Sequence, residues 1–457
     1  MPLKLINLAI VSCCSLQIMA QEAFKNLRYD ENYGYLKDSA HLDWHDRMKF
    51  APFGRTKNSY HSFGGEVRYQ YFHYTNENWG DAVADNDGYI LNRLLVHSDL
   101  HLGSRFRTFV QLQSSLADGR VNPPSPVDQN ELDLHQAFFD YVFGNQNSSL
   151  TFRAGRQEMN YGSSRLVATR EGLNNRQSFD GVKLMYNRNG FSFDGFYTDY
   201  VYSKKGIFND EFFNQNLIFW GGYAVKNKIP FLQNVDLYYL GIKNKHSVWG
   251  DVSGIEIRHS LGARIWGHTK RWDYDFGGVY QFGDMAGNTI AAWTLSSSTS
   301  YILNDRKWAP IVSFKTELIS GDGKPGDGKV QSFNPLFPRG AYFGYAALIG
   351  PSNLFDVHPT LTIPLNHVFV VTLDNDVFWR FSVNDGIYNP GTIVIYPAGN
   401  SGERYIGFQT AGSLECTINK HVYLRTGITW FNAGEYLKSV GTGKDILYTG
   451  FTSTFKF

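Results

Sequence analysis

From about residue 60 onward, apolar and polar side chains alternate with a period of two. Residues 89–103 show the pattern: Ile90, Leu94, Val96, Leu100 and Leu102 share one parity, and Arg93, His97, Asp99 and His101 the other. Successive side chains of a pleated backbone point to opposite sides, so such a strand has one apolar and one charged face. Residues 105–115 repeat it, with Phe106, Val110 and Leu112 opposite Arg105, Arg107, Gln111 and Gln113. The same alternation marks 67–74, 132–143, 150–157, 179–187, 191–202, 216–225, 235–243, 253–266 and 272–282. It continues through 290–303, 308–320, 354–364, 368–381, 405–418, 421–432 and 446–457. The spacing predicts about 18 strands.

Turn chemistry separates them. Asn187-Arg-Asn-Gly190 places an Asn-Gly turn between two strands, and Asn304-Asp-Arg306 and Asn419-Lys420 read as equally short connections. The links at 76–87, 116–131, 160–178, 321–353 and 383–403 are long and polar. Short turns on one rim and long loops on the other are how transmembrane barrels are built. The expected fold is all-β: a transmembrane antiparallel β-barrel of about 18 strands, with short periplasmic turns and long extracellular loops. No apolar run reaches the ~20 residues of a membrane helix, so any crossing must be made by strands.

Composition removes rivals. Forty-three Lys and Arg against 42 Asp and Glu leave a net charge of +1, which gives no whole-chain case for a nucleic-acid binder. An aromatic content of 16% excludes disorder, and 45 Gly with only 15 Pro excludes collagen-like and Pro-rich chains. Mean hydropathy is negative, as in a soluble protein, yet 28 Tyr, 35 Phe and 10 Trp are present. A barrel reconciles the two: outward apolar residues are offset by polar lumen and loop residues, and the aromatics are assigned to two interfacial girdles.

At the N-terminus, Lys4, the apolar stretch 5–11 and Ala20 before Gln21 predict a secretory signal peptide over residues 1–20. A lipoprotein leader using Cys13 is the competitor, which Ile10-Val11-Ser12 fits poorly. Cleavage after Ala20 removes Cys13 and Cys14 and leaves Cys416 as a strand-facing small hydrophobe, with no internal disulfide or Cys₂ metal site. The expected division is signal peptide 1–20, a plug-like periplasmic segment 21–63 and a barrel domain 64–457.

The most distinctive stretch runs Phe152-Arg-Ala-Gly-Arg156-Gln-Glu-Met-Asn-Tyr161 and continues through Arg165, Arg170, Asn174 and Arg176 to Phe179-Asp180-Gly181. This Gly-Arg-Gln to Phe-Asp-Gly block resembles bacterial outer-membrane proteins carrying an alginate export domain. His135-Gln-Ala-Phe138, Ser320-Gly-Asp-Gly323 and Phe333-Asn-Pro-Leu-Phe-Pro338 agree with it, so the resemblance covers roughly 64–457. The alternating end, with Phe451, Phe455 and Phe457 on one parity, resembles the closing strand whose last aromatic the barrel-assembly machinery reads. The resemblance implies a monomeric barrel of 18 strands in the bacterial outer membrane, with a constricted, cation-lined pore passing anionic polysaccharide.

Fixed guanidinium groups in a low-dielectric wall lower the entry cost of a polyuronate, and several separated arginines give multiple weak sites. The candidates are Arg156, Arg165, Arg170 and Arg176 in the block, with Arg93, Arg105 and Arg107 on polar parities of their strands. Each competes with a structural pairing to a carboxylate such as Asp99, Asp140 or Asp180. The near-neutral chain departs from the basic excess expected of an alginate pore. Gly321 to Gly328 offers Asp322 and Asp327 as a weak Ca²⁺ loop, without the Asp-x-Asp-x-Asp-Gly ladder or closing Glu. No other metal spacing, phosphate loop or nucleophile elbow is found. The expectation is therefore a passive channel without cofactor. Its rivals are a general or small-anion porin, a barrel hydrolase using a Ser-His pair formed in space, and a surface-binding barrel.

Overall fold

Alternation commits every strand to two environments at once, and a sheet closed on itself supplies both. The structure is a computed structural model and describes residues 24–54, 58–145, 147–304 and 308–457. The expected signal peptide, with Cys13 and Cys14, lies outside the described residues, as do residues 305–307 of the turn after Asn304.

The wall begins with β1 Ser59–Thr75, β2 Tyr89–Leu102, β3 Phe106–Asp118, β4 Asn130–Asn145, β5 Ser148–Gln157 and β6 Phe179–Arg188. It continues with β7 Phe191–Tyr200, β8 Leu217–Ile229, β9 Gln233–Trp249, β10 Val252–His268, β11 Trp272–Met285 and β12 Asn288–Ile302. It ends with β13 Ile311–Ile319, β14 Leu354–Pro364, β15 Phe369–Arg380, β16 Tyr405–Thr417, β17 Val422–Ala433 and β18 Ile446–Lys456. Each pairs antiparallel with the next, and β18 returns to β1, from Glu66↔Lys456 to Thr75↔Leu447. The result is the closed 18-strand antiparallel barrel expected from the alternation, strand for strand. The expected barrel start at Gly64 falls inside β1. Asn189 and Gly190, both at positive φ, form the tight turn between β6 and β7.

The short turns share one rim, and the loops at 76–88, 119–129, 158–178, 201–216, 320–353, 381–404 and 434–445 share the other. Two tight hairpins, at 250–251 and 286–287, also sit on the long-loop rim, so that rim is not uniformly extended. Outward positions are apolar: Val67 and Tyr69 on β1, Leu94 on β2, Val110 on β3, Leu261 on β10 and Tyr280 on β11 are all exposed. Inward positions are polar and buried, as with Glu66, Arg68 and Gln70 or Arg93, His97 and Asp99. Among the described residues no helix is long and apolar enough to cross a membrane.

The lumen is not a simple polar bore. Loop 158–178 folds inward and bonds to loop 320–353, with Phe337 N–H donating to Leu166 O at 2.8 Å and Ala168 N–H to Phe337 O at 3.0 Å. Together they carry Met159, Val167, Phe333, Phe337 and Phe343 onto the inward faces of Phe179, Phe196, Phe219, Phe378 and Phe431. This corrects the assignment of the aromatics to girdles. Tyr69, Phe193, Trp430 and Phe451 face outward, but a second set forms an apolar core inside the barrel, because loops can stay in the lumen only by burying apolar surface there.

Part of the described N-terminal segment also packs inside the wall, while Tyr35 and Trp44 stay exposed. The Tyr29 ring packs edge-on to Phe109 and Phe138, and its hydroxyl donates to Glu158 O at 2.8 Å. Arg28 donates to Gly65 O and Phe457 O, each at 3.0 Å. Helix α1, Trp44–Lys49, starts from a capping box formed by Asp43 and Asp46 and delivers Lys49 Nζ to Phe457 O at 3.1 Å.

Candidate functional site in the lumen

The Gly-Arg-Gln to Phe-Asp-Gly block acquires a structural meaning in the register of β5 and β6. Gly155 lies opposite Gly181, Arg156 opposite Asp180 and Gln157 opposite Phe179. Arg156 donates Nε and Nη2 to the two Asp180 oxygens at 2.7 and 3.0 Å, and Nη1 to Leu134 O at 3.1 Å. Its guanidinium also lies 3.9 Å over the Phe212 ring, so this arginine is fully buried and fully engaged. Asp99 takes Arg107 through two bonds of 2.7 Å. Asp140 takes Arg153, which no spacing argument singled out, through bonds of 2.7 and 2.8 Å.

The remaining arginine candidates fall in four places. Arg93 and Arg176 converge on Glu171, Arg93 at 2.6 Å, while Arg93 also holds Glu66 and Arg176 holds Glu158. Arg165 sits elsewhere in the lumen, bonded to Tyr342 Oη at 2.8 Å and Glu317 at 3.2 Å. Arg170, at positive φ, reaches Tyr200 Oη at 3.2 Å. Arg105 precedes β3 and is exposed in the short turn, outside the strand expected to carry it. Asp322 and Asp327 accept the backbone N–H groups of Lys324 and Lys329, at 3.1 and 3.0 Å, as turn residues do. Burial, with Asp385 and Asp327 nearby, pushes the Asp322 carboxyl up.

A cavity of about 410 Å³ runs along the inner wall made by β1 and β16–β18. It extends from Lys420 and His421 at the short-turn rim to the Tyr74, Tyr89 and Tyr448 layer. Arg68, Arg425, Lys420 and Lys456 line it, together with Glu415 on the wall and Asp128 and Glu171 from loops. Tyr345 and Tyr423 add aromatic surface, the Tyr345 ring lying 4.1 Å under the Arg425 guanidinium. Arg68 clamps the inward loop by donating to Glu171 O at 2.7 Å and to Leu173 O. Burial would raise the Glu171 carboxyl, but Arg176 and Arg93, then Lys456 and Arg68, hold it well below the usual range.

The arginines of the cavity are thus not those picked from the sequence. Arg68 and Arg425 stand on the inward parity of β1 and β17, a signal present in the alternation, whereas Glu171 reaches the lumen only because its loop turns back. Among the described residues His61 Nε2 meets Ser98 Oγ at 2.8 Å, on outward parities of β1 and β2. Among the described residues no carboxylate is hydrogen-bonded to His61.

Residues 59–444 match the family described as Alginate export. Among solved structures, a BenF-like porin from Pseudomonas fluorescens Pf-5 has a TM-score of 0.57 at 9% identity, covering 87% of this chain and 98% of its own. Pseudomonas aeruginosa OccK5 (OpdH) gives 0.54 at 11% identity, with 87% and 98% covered. Pseudomonas aeruginosa OpdK, solved with vanillate, gives 0.54 at 10% identity, with 88% and 100% covered. At these identities the likeness is one of fold. No curated protein matches the chain.

Proposed function

The chain belongs to the alginate export family, and from that premise we propose that it is a passive outer-membrane channel for carboxylated saccharides. The observation that carries the reading is the cavity of about 410 Å³ with Arg68, Arg425, Lys420 and Lys456 along one wall. These cations can hand a carboxylate from one to the next while Glu171, Glu415 and Asp128 keep any single site from holding it too tightly. The Tyr345, Tyr423 and Tyr448 rings offer apolar faces to the C–H surfaces of a sugar. Residues 24–50 act as a plug that narrows the short-turn side. The cavity's size favours short oligouronates over free passage of a polymer.

In planar bilayers the protein should prefer anions, and Arg425→Gln with Lys456→Gln should lower the anion-to-cation permeability ratio. Cation selectivity in the unmutated protein would overturn the reading. One observation, the family match itself, favours a second reading, export of intact polyuronate. Release of labelled polymer from proteoliposomes would establish that reading. Current block by polymer without its release would support the smaller cargo.

A further inference from the structure

Away from that cavity, two strands bring together charged side chains that the channel reading does not use. Asp356 and His358 stand two residues apart on the inward face of β14, and Asp376 on the adjacent β15. The pairs Val357↔Val377 and Thr360↔Asp374 bracket His358 and Asp376 across from each other. One ligand atom from each residue lies within 4.8 Å of the other two. Asp356 and Asp376 are fully buried and His358 is 2% exposed.

The hydrogen bonds around the trio are incomplete in one direction only. His358 Nε2 is bonded to Asp374, whose oxygen also accepts Thr360 Oγ1 at 3.3 Å. With Nε2–H donating, Nδ1 keeps its lone pair and points at the two carboxylates. Nδ1 and both oxygens of Asp356 and of Asp376 make no hydrogen bond, although Nδ1 and Asp376 Oδ2 are 3.0 Å apart. In that tautomer Nδ1 and four carboxylate oxygens, all buried, converge as acceptors, an arrangement that a bound cation stabilises. Two charged neighbours on β13 face the trio. Glu317, opposite Asp356 on β13, adds another carboxylate but is held by Arg165 and Tyr342. Lys315, opposite His358, is a cation that acts on both carboxylates, and one ammonium leaves part of their combined charge uncompensated.

We infer that Asp356, His358 Nδ1 and Asp376 form a binding site for a divalent first-row transition cation, which clips β14 to β15 inside the barrel. One imidazole and two carboxylates suit Zn²⁺ or Mn²⁺, with ligands at roughly 2.0–2.2 Å from the ion. Asp374 is the positioning residue that fixes the tautomer. A second metal-capable trio among the described residues, Asp43, His45 and Asp46, has its carboxylates engaged in the α1 capping box and Lys420 Nζ 3.3 Å from His45 Nδ1.

The test uses tag-free, chelator-stripped protein carrying His45→Ala, to silence that second trio, loaded with Zn²⁺ alone and washed. One retained zinc per chain is expected, and none when Asp376→Asn is added. Heat-modifiable gel migration checks that the barrel is closed in both. Co²⁺ loading of the unmutated chain gives a readout that needs no variant: visible d–d bands that disappear on zinc addition are expected. Failure to retain zinc, or equal retention in Asp376→Asn, would overturn the site. Stabilisation of the metal-free chain by Asp376→Asn, with no zinc taken up by its parent, would instead mean that the carboxylates share a proton.

Discussion

At the scale of single residues, the lumen is organised by buried ion pairs that cross from strand to strand. Arg107 lies opposite Asp140, Asp140 opposite Arg153 and Arg156 opposite Asp180, so charge alternates around the inner wall. A buried pair contributes little beyond an apolar pair of the same size, but removing one partner strands the other at a cost of about 3–5 kcal/mol. Asp140→Ala should therefore destabilise the barrel by about that amount, because it leaves Arg153 buried between Tyr29 and Phe138. Replacing both residues together, Asp140→Leu with Arg153→Met, should cost far less. Denaturant titration in detergent checks the difference. If the single and double variants are equally unstable, the pairing account fails. The involvement of Asp99, Asp140 and Asp180 was legible in the sequence because period-two spacing puts all three on the polar parity. Their partners were not, since partner choice depends on register between strands, and a one-residue slip reverses every face.

At the scale of elements, the strands were legible and the inward segments were not. Each strand carries its own signal, because an apolar outside and a polar inside dictate its alternation. Loop 158–178 and residues 24–50 have no such period, and their packing against the barrel is set by contacts with residues far along the chain. The N-terminal segment carries a testable pH response. Burial, with Arg28 beside it, brings Lys49 down to about 7, and burial beside Lys420 brings His45 down to about 4. When undocked, each group binds a proton more readily. Docking therefore strengthens as pH rises from about 4 to 6.5 through His45, and again from about 7 to 10.4 through Lys49. Hydrogen exchange in residues 24–50 should slow from pH 5 to pH 9, after correction for the intrinsic rate. Lys49→Met should remove the upper part of that dependence. Weaker protection at pH 9 than at pH 6 would contradict the assignment.

At the scale of the whole molecule, the barrel is a wall with a filled interior, and under the proposed channel function what fills it should set the conductance. A chain lacking residues 24–50 should keep its heat-modifiable migration and conduct more than the intact protein. Unchanged single-channel conductance would show that this segment does not narrow the path. The seam between β1 and β18 has a further consequence, one of timing. Arg28 grips Gly65 O on one side of it and Phe457 O on the other, and Lys49 joins it on Phe457 O. That three-way grip exists only once partners nearly four hundred residues apart have met, the slowest kind of contact for a chain to make. The grip of these first described residues on the seam therefore forms only after that contact, and its formation reports that the circle has closed.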